Sequence, residues 1–174
     1  YPITVSGDTE QGNYTVTYTN GTLTIEQAGA FKLDAQGARR EYNGEALYGT
    51  VVAHVTEGTT ISYSIDDGAN WTTEAPSITN VGALNVKVKA ENANYVTATS
   101  EYTLTVTPKE VTVVAESESK TYGQTDPELT AKVEGTVGKD TVTYTIARKP
   151  GEDVGTYPIT VSGDTEQGNY TVTY

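Results

Sequence analysis

Apolar and polar residues alternate along this chain in short runs of period two. Ile3 and Val5 flank Thr4, and Tyr14, Val16 and Tyr18 are spaced by Thr15 and Thr17. Ile61 to Ile65 (ISYSI) and Val142 to Ile146 (VTYTI) alternate in the same way. Leu84, Val86 and Val88 fall on one side of another run, with Asn85, Lys87 and Lys89 on the other. Tyr102, Leu104 and Val106 continue the pattern. Successive side chains of a strand point to opposite faces, so each run predicts a half-buried strand. No long segment carries apolar residues at helical spacing, which predicts an all-β chain. Asn20-Gly21, between Tyr14–Tyr18 and Leu23–Ile25, predicts a hairpin over residues 14–25, because a type I′ turn needs positive φ at both central positions. Asp66-Asp67-Gly68 predicts a turn from Ile61–Ile65 into a strand near Trp71.

The pattern repeats on a larger scale. Tyr1–Tyr18 recurs letter for letter as Tyr157–Tyr174, a period of 156 residues (157 − 1). The period divides again. Val81-Gly82 with its following run lines up with Val154-Gly155, Glu91–Tyr95 with Glu166–Tyr170, and ISYSI with VTYTI. Ala35 precedes Tyr42 by the same seven positions that separate Ala115 from Tyr122. Two diverged modules of about 75–80 residues per period result, a size suited to small immunoglobulin-like β-sandwiches. The expected units are residues 1–25, the closing part of a module; residues 31–107, a complete middle module; and residues 109–174, a module that lacks its last strand. By the first copy, Thr19–Ile25 supplies that strand. Glu26–Ala30 reads as a polar connector, and Pro108 marks the second boundary.

KTYGQTDPEL (Lys120–Leu129), VTYTIARKPGEDVGTYPI (Val142–Ile159) and GNYTVTYTNGTLTI (Gly12–Ile25) together resemble the MBG domain of the YGX type. The middle unit, with Tyr42-Asn43-Gly44 and YSIDDGANW (Tyr63–Trp71), departs from that pattern. It resembles the immunoglobulin-like modules that alternate with such domains. The resemblance implies tandem repeats of a large bacterial surface protein of adhesin type, extracellular and either attached to the cell wall or secreted. It carries no catalytic residues with it.

Composition narrows the function. There is no cysteine, so disulfides are excluded, and in an extracellular chain that absence points to bacteria. No apolar run is long enough to span a bilayer, so no membrane insertion is expected from this stretch. The net charge of −12 is scattered, repels nucleic acid and anionic membranes, and keeps a long chain soluble and extended.

Candidate chemistry is sparse. His54 is the single histidine, set in VVAHV, and reads as a solvent-facing strand residue. No enzyme activity and no cofactor are expected. Asp66, Asp67 and Asn70 around Gly68 could offer oxygen ligands to calcium, as could Glu152 with Asp153 or Asp8 with Glu10. None meets the alternating spacing of a calcium loop, and turn chemistry accounts for Asp-Asp-Gly. Trp71, the single tryptophan, could stack on a sugar beside Tyr63 and Asn70, or pack on its own module. Lys109 or Lys32 on a first strand could form an isopeptide bond with a late-strand Asn169. Asp153-x-Gly155-x-Tyr157 and Glu91-x-Ala93-x-Tyr95 match the tyrosine-corner pattern, in which the hydroxyl bonds backbone across a sheet corner.

These readings favour a structural repeat: an extended stalk or filament that presents a terminal adhesive domain, with neighbouring repeats of the same chain as its partners. Two rivals stand beside it. One is a multivalent repeat binding glycan or mucin through copy number. The other is a filament subunit assembled by strand complementation, one chain's Thr19–Ile25 completing another's module.

Overall fold

The structure, a computed structural model, describes residues 1–174 and is built from strands throughout, with no helix. Residues 1–25 hold four strands of two residues each: β1 (Pro2–Ile3), β2 (Glu10–Gln11), β3 (Tyr14–Thr15) and β4 (Gly21–Thr22). β1 pairs with β4 and β2 with β3, both antiparallel. The hairpin expected over residues 14–25 does not form. The tight turn lies earlier, at Gly12-Asn13 between Gln11 and Tyr14, with Gly12 at φ 63°. A positive φ at only the first loop residue is the type II′ pattern, which reserves that place for glycine. Once β3 has paired with β2, Gly21-Thr22 pairs with Pro2-Ile3 instead, and the Asn20 side chain accepts the Val5 N–H at 3.1 Å.

The middle module comprises β5 (Leu33–Gln36), β6 (Ala38–Glu41), β7 (Leu47–Tyr48), β8 (Thr50–Ala53), β9 (Thr59–Ser64), β10 (Ser77–Ile78), β11 (Gly82–Asn92) and β12 (Tyr95–Thr107). One layer has the order β6-β12-β11-β9; the pairs β5–β8 and β7–β10 complete the module. The alternation along β11 predicts its inner face. Val86 and Val88 are fully buried with Tyr102 and Leu104 of β12, against Leu33, Ala35 and Val51 of the β5–β8 pair. Each such aliphatic side chain contributes about 1.5–3 kcal/mol relative to exposure. The strand expected near Trp71 is reduced to a single bridge between Tyr63 and Thr72. The expected connector is not free: Ala28 bridges Tyr95, and Gln27 Nε2 donates to the Ala93 carbonyl at 3.1 Å.

The third module comprises β13 (Lys109–Ala115), β14 (Ala131–Glu134), β15 (Thr145–Arg148), β16 (Ile159–Ser162), β17 (Glu166–Gln167) and β18 (Tyr170–Thr173). Its larger sheet runs β14-β13-β18-β17, with β15–β16 as a separate pair. The two modules share registers. Leu33 faces Ala53 and Ala35 faces Val51, as Val113 faces Val133 and Ala115 faces Ala131. Each module also opens with a parallel pairing beside the late tyrosine, the isolated bridge of Ala28 at Tyr95 and Lys109 of β13 at Tyr170.

Candidate functional site: the joint between the modules

β12 runs through Thr107 and β13 begins at Lys109, so Pro108 alone separates the modules. A proline there has fixed φ and no N–H to contribute to either sheet. The core of the third module extends across this short link. Tyr42 and Val106 of the middle module form one buried cluster with Val111, Val113, Val142, Tyr170 and Val172 of the third. Leu47, Ile78 and Val81 pack against the cluster from one side, Val133, Val137 and Val161 from the other.

Polar contacts fix the orientation of this apolar contact. The Tyr42 and Tyr170 rings meet edge to face, centroids 5.5 Å apart and planes at 87°. Both hydroxyls donate to one oxygen, Asp140 Oδ2, at 3.0 Å and 2.6 Å, and the Tyr170 hydroxyl also accepts the Val137 N–H at 2.9 Å. The backbone of Tyr42 is tied to the end of β12, its N–H donating to the Thr107 carbonyl at 2.9 Å. Asn169 spans the boundary too: its Oδ1 accepts the Val81 N–H at 2.8 Å, and its Nδ2 donates to Asn80 Oδ1 at 3.1 Å. Lys109 Nζ pairs with Glu41 at 2.9 Å. Burial, and then the bond to Asp140, pushes the Tyr170 hydroxyl up to about 12. The bond to Asp140 and then burial raise that of Tyr42. Both phenols therefore remain donors at physiological pH.

The opposite end of the third module gathers the two segments singled out in the sequence. Thr121–Gln124 forms a turn, with the Gln124 N–H donating to the Thr121 carbonyl at 3.0 Å and Gly123 at φ 83°. That φ at the third position is the type II requirement, which explains a glycine after Tyr122. Beside the turn, Lys120 bonds Asp126 at 2.6 Å and Glu152 at 2.7 Å, while Arg148 bonds Asp126 at 2.8 Å and Glu152 at 2.5 Å. The bonds from Arg148 and then Lys120 hold the Asp126 carboxyl down to about 2. Arg148 also donates to the Lys149 and Gly151 carbonyls and lies 5.7 Å from the Tyr157 ring centroid. Tyr157 donates to the Asp153 carbonyl at 2.9 Å, the corner bond expected of that spacing, whereas Tyr95 meets Phe31 edge to face at 5.6 Å. A cavity of about 390 Å³ opens here, with Tyr122 and Val154 among its lining residues.

The other candidates are dispersed. Asp66 accepts from Ser64 Oγ at 2.7 Å and from the Asn70 N–H and Nδ2 at 2.9 Å and 2.6 Å, and these bonds, the Asn70 N–H foremost, lower its carboxyl to about 2. Asp67 pairs with Lys87 at 2.5 Å, so the turn's acids are engaged within the turn and with a strand lysine. Glu152 is in the ion-pair network, and Asp153 holds Tyr157 through its backbone; the Asp8 carbonyl accepts from Tyr18 and Gln11. Trp71 is 38% exposed, donates to the Gly68 carbonyl at 3.0 Å and carries Lys89 Nζ 4.9 Å from its ring centroid. Tyr63 packs with the Val86–Leu104 core, on the opposite face of β9 from its neighbours Ser62 and Ser64, so Trp71, Tyr63 and Asn70 do not share a surface. His54 is exposed and bonds Asp34 at 2.7 Å; Lys32 bonds the same carboxylate at 2.7 Å. Lys109 and Asn169 are backbone neighbours, the Lys109 N–H donating to the Asn169 carbonyl at 3.0 Å, but each side chain reaches across to the middle module. The role of Asp140 at the joint had no signal in the alternation pattern, since Tyr42 lies 98 positions away.

Residues 111–174 match the family model of the MBG domain (YGX type). The domain is found in bacterial surface repeat proteins. No curated protein and no solved structure matches the chain.

Proposed function

We propose that this chain is a non-enzymatic spacer: a stretch of alternating modules in an extracellular bacterial surface protein, joined stiffly enough to hold a terminal adhesive domain away from the cell. The observation that carries this reading is the shared core at the joint, where Tyr42, Asp140 and Tyr170 lock one module onto the next across a single-residue link. A flexible tether needs none of this, because domains on a free linker move independently by default. Exact repetition fits a job set by length and copy number, and scattered negative charge keeps neighbouring stalks apart. A glycan-binding array draws less support, since the Trp71 indole N–H is already bonded and a lysine lies over its ring.

The test is rigidity. The chain has no cysteine, so single cysteines introduced at exposed sites, one per module, accept spin labels without background. Pulsed electron–electron resonance should give a narrow distance distribution across the joint that broadens in Tyr42→Ala. A broad distribution in the unaltered chain would overturn the spacer reading.

A further inference from the structure

The two ends of each module carry related residues, and only one of the two possible joints is formed within this chain. Tyr42, at the far end of the middle module, is buried where the third module docks. Tyr122 stands at the corresponding place in the third module. Both come seven positions after an alanine, and those alanines sit in matching registers, Ala35 opposite Val51 and Ala115 opposite Ala131. Tyr122 is 71% exposed, and Val154, the sequence counterpart of the joint residue Val81, is 92% exposed. Two large apolar side chains thus border a cavity in which Lys120, Asp126, Arg148 and Glu152 are paired with one another, with the carboxylates of Glu118 and Asp153 also in its lining.

The complementary surface is also present. The third module docks through Asn169-Tyr170, at the start of β18 beside the opening of β13. The middle module bears Asn94-Tyr95 at the start of β12, beside the bridge from Ala28. The order of segments in the chain identifies the neighbour: the first copy of the duplicated stretch leads into Thr19–Ala30 and then into the middle module.

We propose that the Tyr122–Val154 end of the third module is a docking face for the opening end of a middle module from the next repeat, with Tyr122 against Tyr95 and the Val154 N–H on the side chain of Asn94. The inference rests on the spacer reading and extends it to the second type of joint. It also gives the two joints different characters. By alignment of VTYTI with ISYSI, the place of Asp140 falls to Thr59, whose Oγ already accepts from Asn92 at 2.9 Å. The second joint therefore has the aromatic contact without the carboxylate that both phenols share, and an array alternates a pinned joint with a softer one.

The experiment extends the full chain after Tyr174 by a copy of Thr19–Thr107, the order in which these segments already succeed the duplicated stretch. Spin-label pairs span either the native joint or the new one. The expected result is a defined distance across the new joint, broader than across the native one, that is lost in Tyr122→Ala while the native joint stays narrow. A chain extended by Thr19–Ile25 alone controls for completing the sheet, and hydrogen exchange should show Tyr122 shielded only with the longer extension. A distance across the new joint unaffected by Tyr122→Ala, or no defined distance there while the native joint remains narrow, would overturn the proposal and leave the spacer reading intact. A native joint that is itself broad would sink the spacer reading instead.

Discussion

Tyr42 and Tyr170 come from different modules, meet edge to face with centroids 5.5 Å apart, and donate both hydroxyls to the same oxygen of Asp140. Edge-to-face rings add a geometric preference to the area they bury, and a carboxylate shared by two donors fixes their relative position. This contact ties the two modules to each other beyond their covalent link. The rings sit beside buried Val106 on one side and Val111 and Val172 on the other, while Asp140 meets their hydroxyls from the exposed rim of the joint.

The first prediction concerns cooperativity. The core of the third module takes in Tyr42 and Val106 of the middle module, so the two modules should unfold in one transition by denaturant or heat. Tyr42→Ala should split it into two, the third module unfolding first because it loses buried partners for Val111 and Tyr170. Tyr170→Phe should cost about 1–3 kcal/mol by leaving the Val137 N–H without its acceptor and Asp140 with one donor fewer. Circular dichroism against denaturant reads both; a single unchanged transition in Tyr42→Ala would show that the modules are coupled elsewhere.

The second concerns alkaline pH. The Tyr170 hydroxyl, ordinarily near 10.0, is raised to about 12 by burial first and by its bond to Asp140 second. A value raised in the folded state means that folding favours the protonated phenol. The stabilisation is complete below pH 10 and disappears as pH climbs through about 12. The stability gap between the unaltered chain and Tyr170→Phe should therefore narrow between pH 10 and pH 12. A gap constant over that window would mean that the phenol is not held protonated by the joint.

Those elements whose pairing and burial are decided nearby were legible in the sequence. β11 kept to its alternation, Val86 and Val88 inward and Lys87 and Lys89 outward, because its partner β12 is reached through a short hairpin. The corner bond of Tyr157 to Asp153 was legible for the same reason. Asn20-Gly21 misled because a strong turn signal competes with other pairings. Gly12 had already turned the chain, and a distant partner, Pro2-Ile3, was free to take Gly21-Thr22. The joint was not legible. Tyr42 to Asp140 and Val81 to Asn169 are contacts over 98 and 88 positions, and nothing local marks Asp140 as anything but a surface turn residue.

The third prediction tests the two segments of the third module that resemble the MBG domain. Lys120, Asp126, Arg148 and Glu152 tie the Tyr122 turn to the Gly151–Tyr157 loop. Isolated surface pairs contribute little, but a network that fixes two loops acts as a unit. Asp126 is held at about 2 against an ordinary 3.8, mainly by Arg148. A lowered value means that folding favours the carboxylate, so its stabilisation is present above pH 3.8 and lost as pH falls towards 2. Asp126→Asn should lower the melting temperature at neutral pH, and the difference should vanish by pH 2. A difference that persists there would assign the loss to packing around Pro127 instead of charge.

The last prediction uses the duplication as an internal control. Tyr14 and Tyr170 occupy the same position in two identical stretches, yet Tyr14 is 76% exposed and Tyr170 is 4% exposed. The local structure is nevertheless the same. Gln11 and Gln167 each bond the hydroxyl of Tyr18 or Tyr174 at 2.9 Å, and those hydroxyls donate to the Asp8 and Asp164 carbonyls at 3.0 Å. The turn is thus written into the stretch itself, whereas burial of its tyrosine is conferred by β13 and the middle module. Tyr170→Ala should destabilise the third module by about 3–5 kcal/mol, the range for truncating a buried aromatic. Tyr14→Ala should leave that stability unchanged. Gln167→Ala and Gln11→Ala should each loosen their own turn, read as faster amide exchange of Val172 and Val16, whose N–H groups donate to the Thr165 and Thr9 carbonyls at 2.7 Å. Equal losses from Tyr14→Ala and Tyr170→Ala would mean that the first copy is also docked in solution, on another molecule of the same chain.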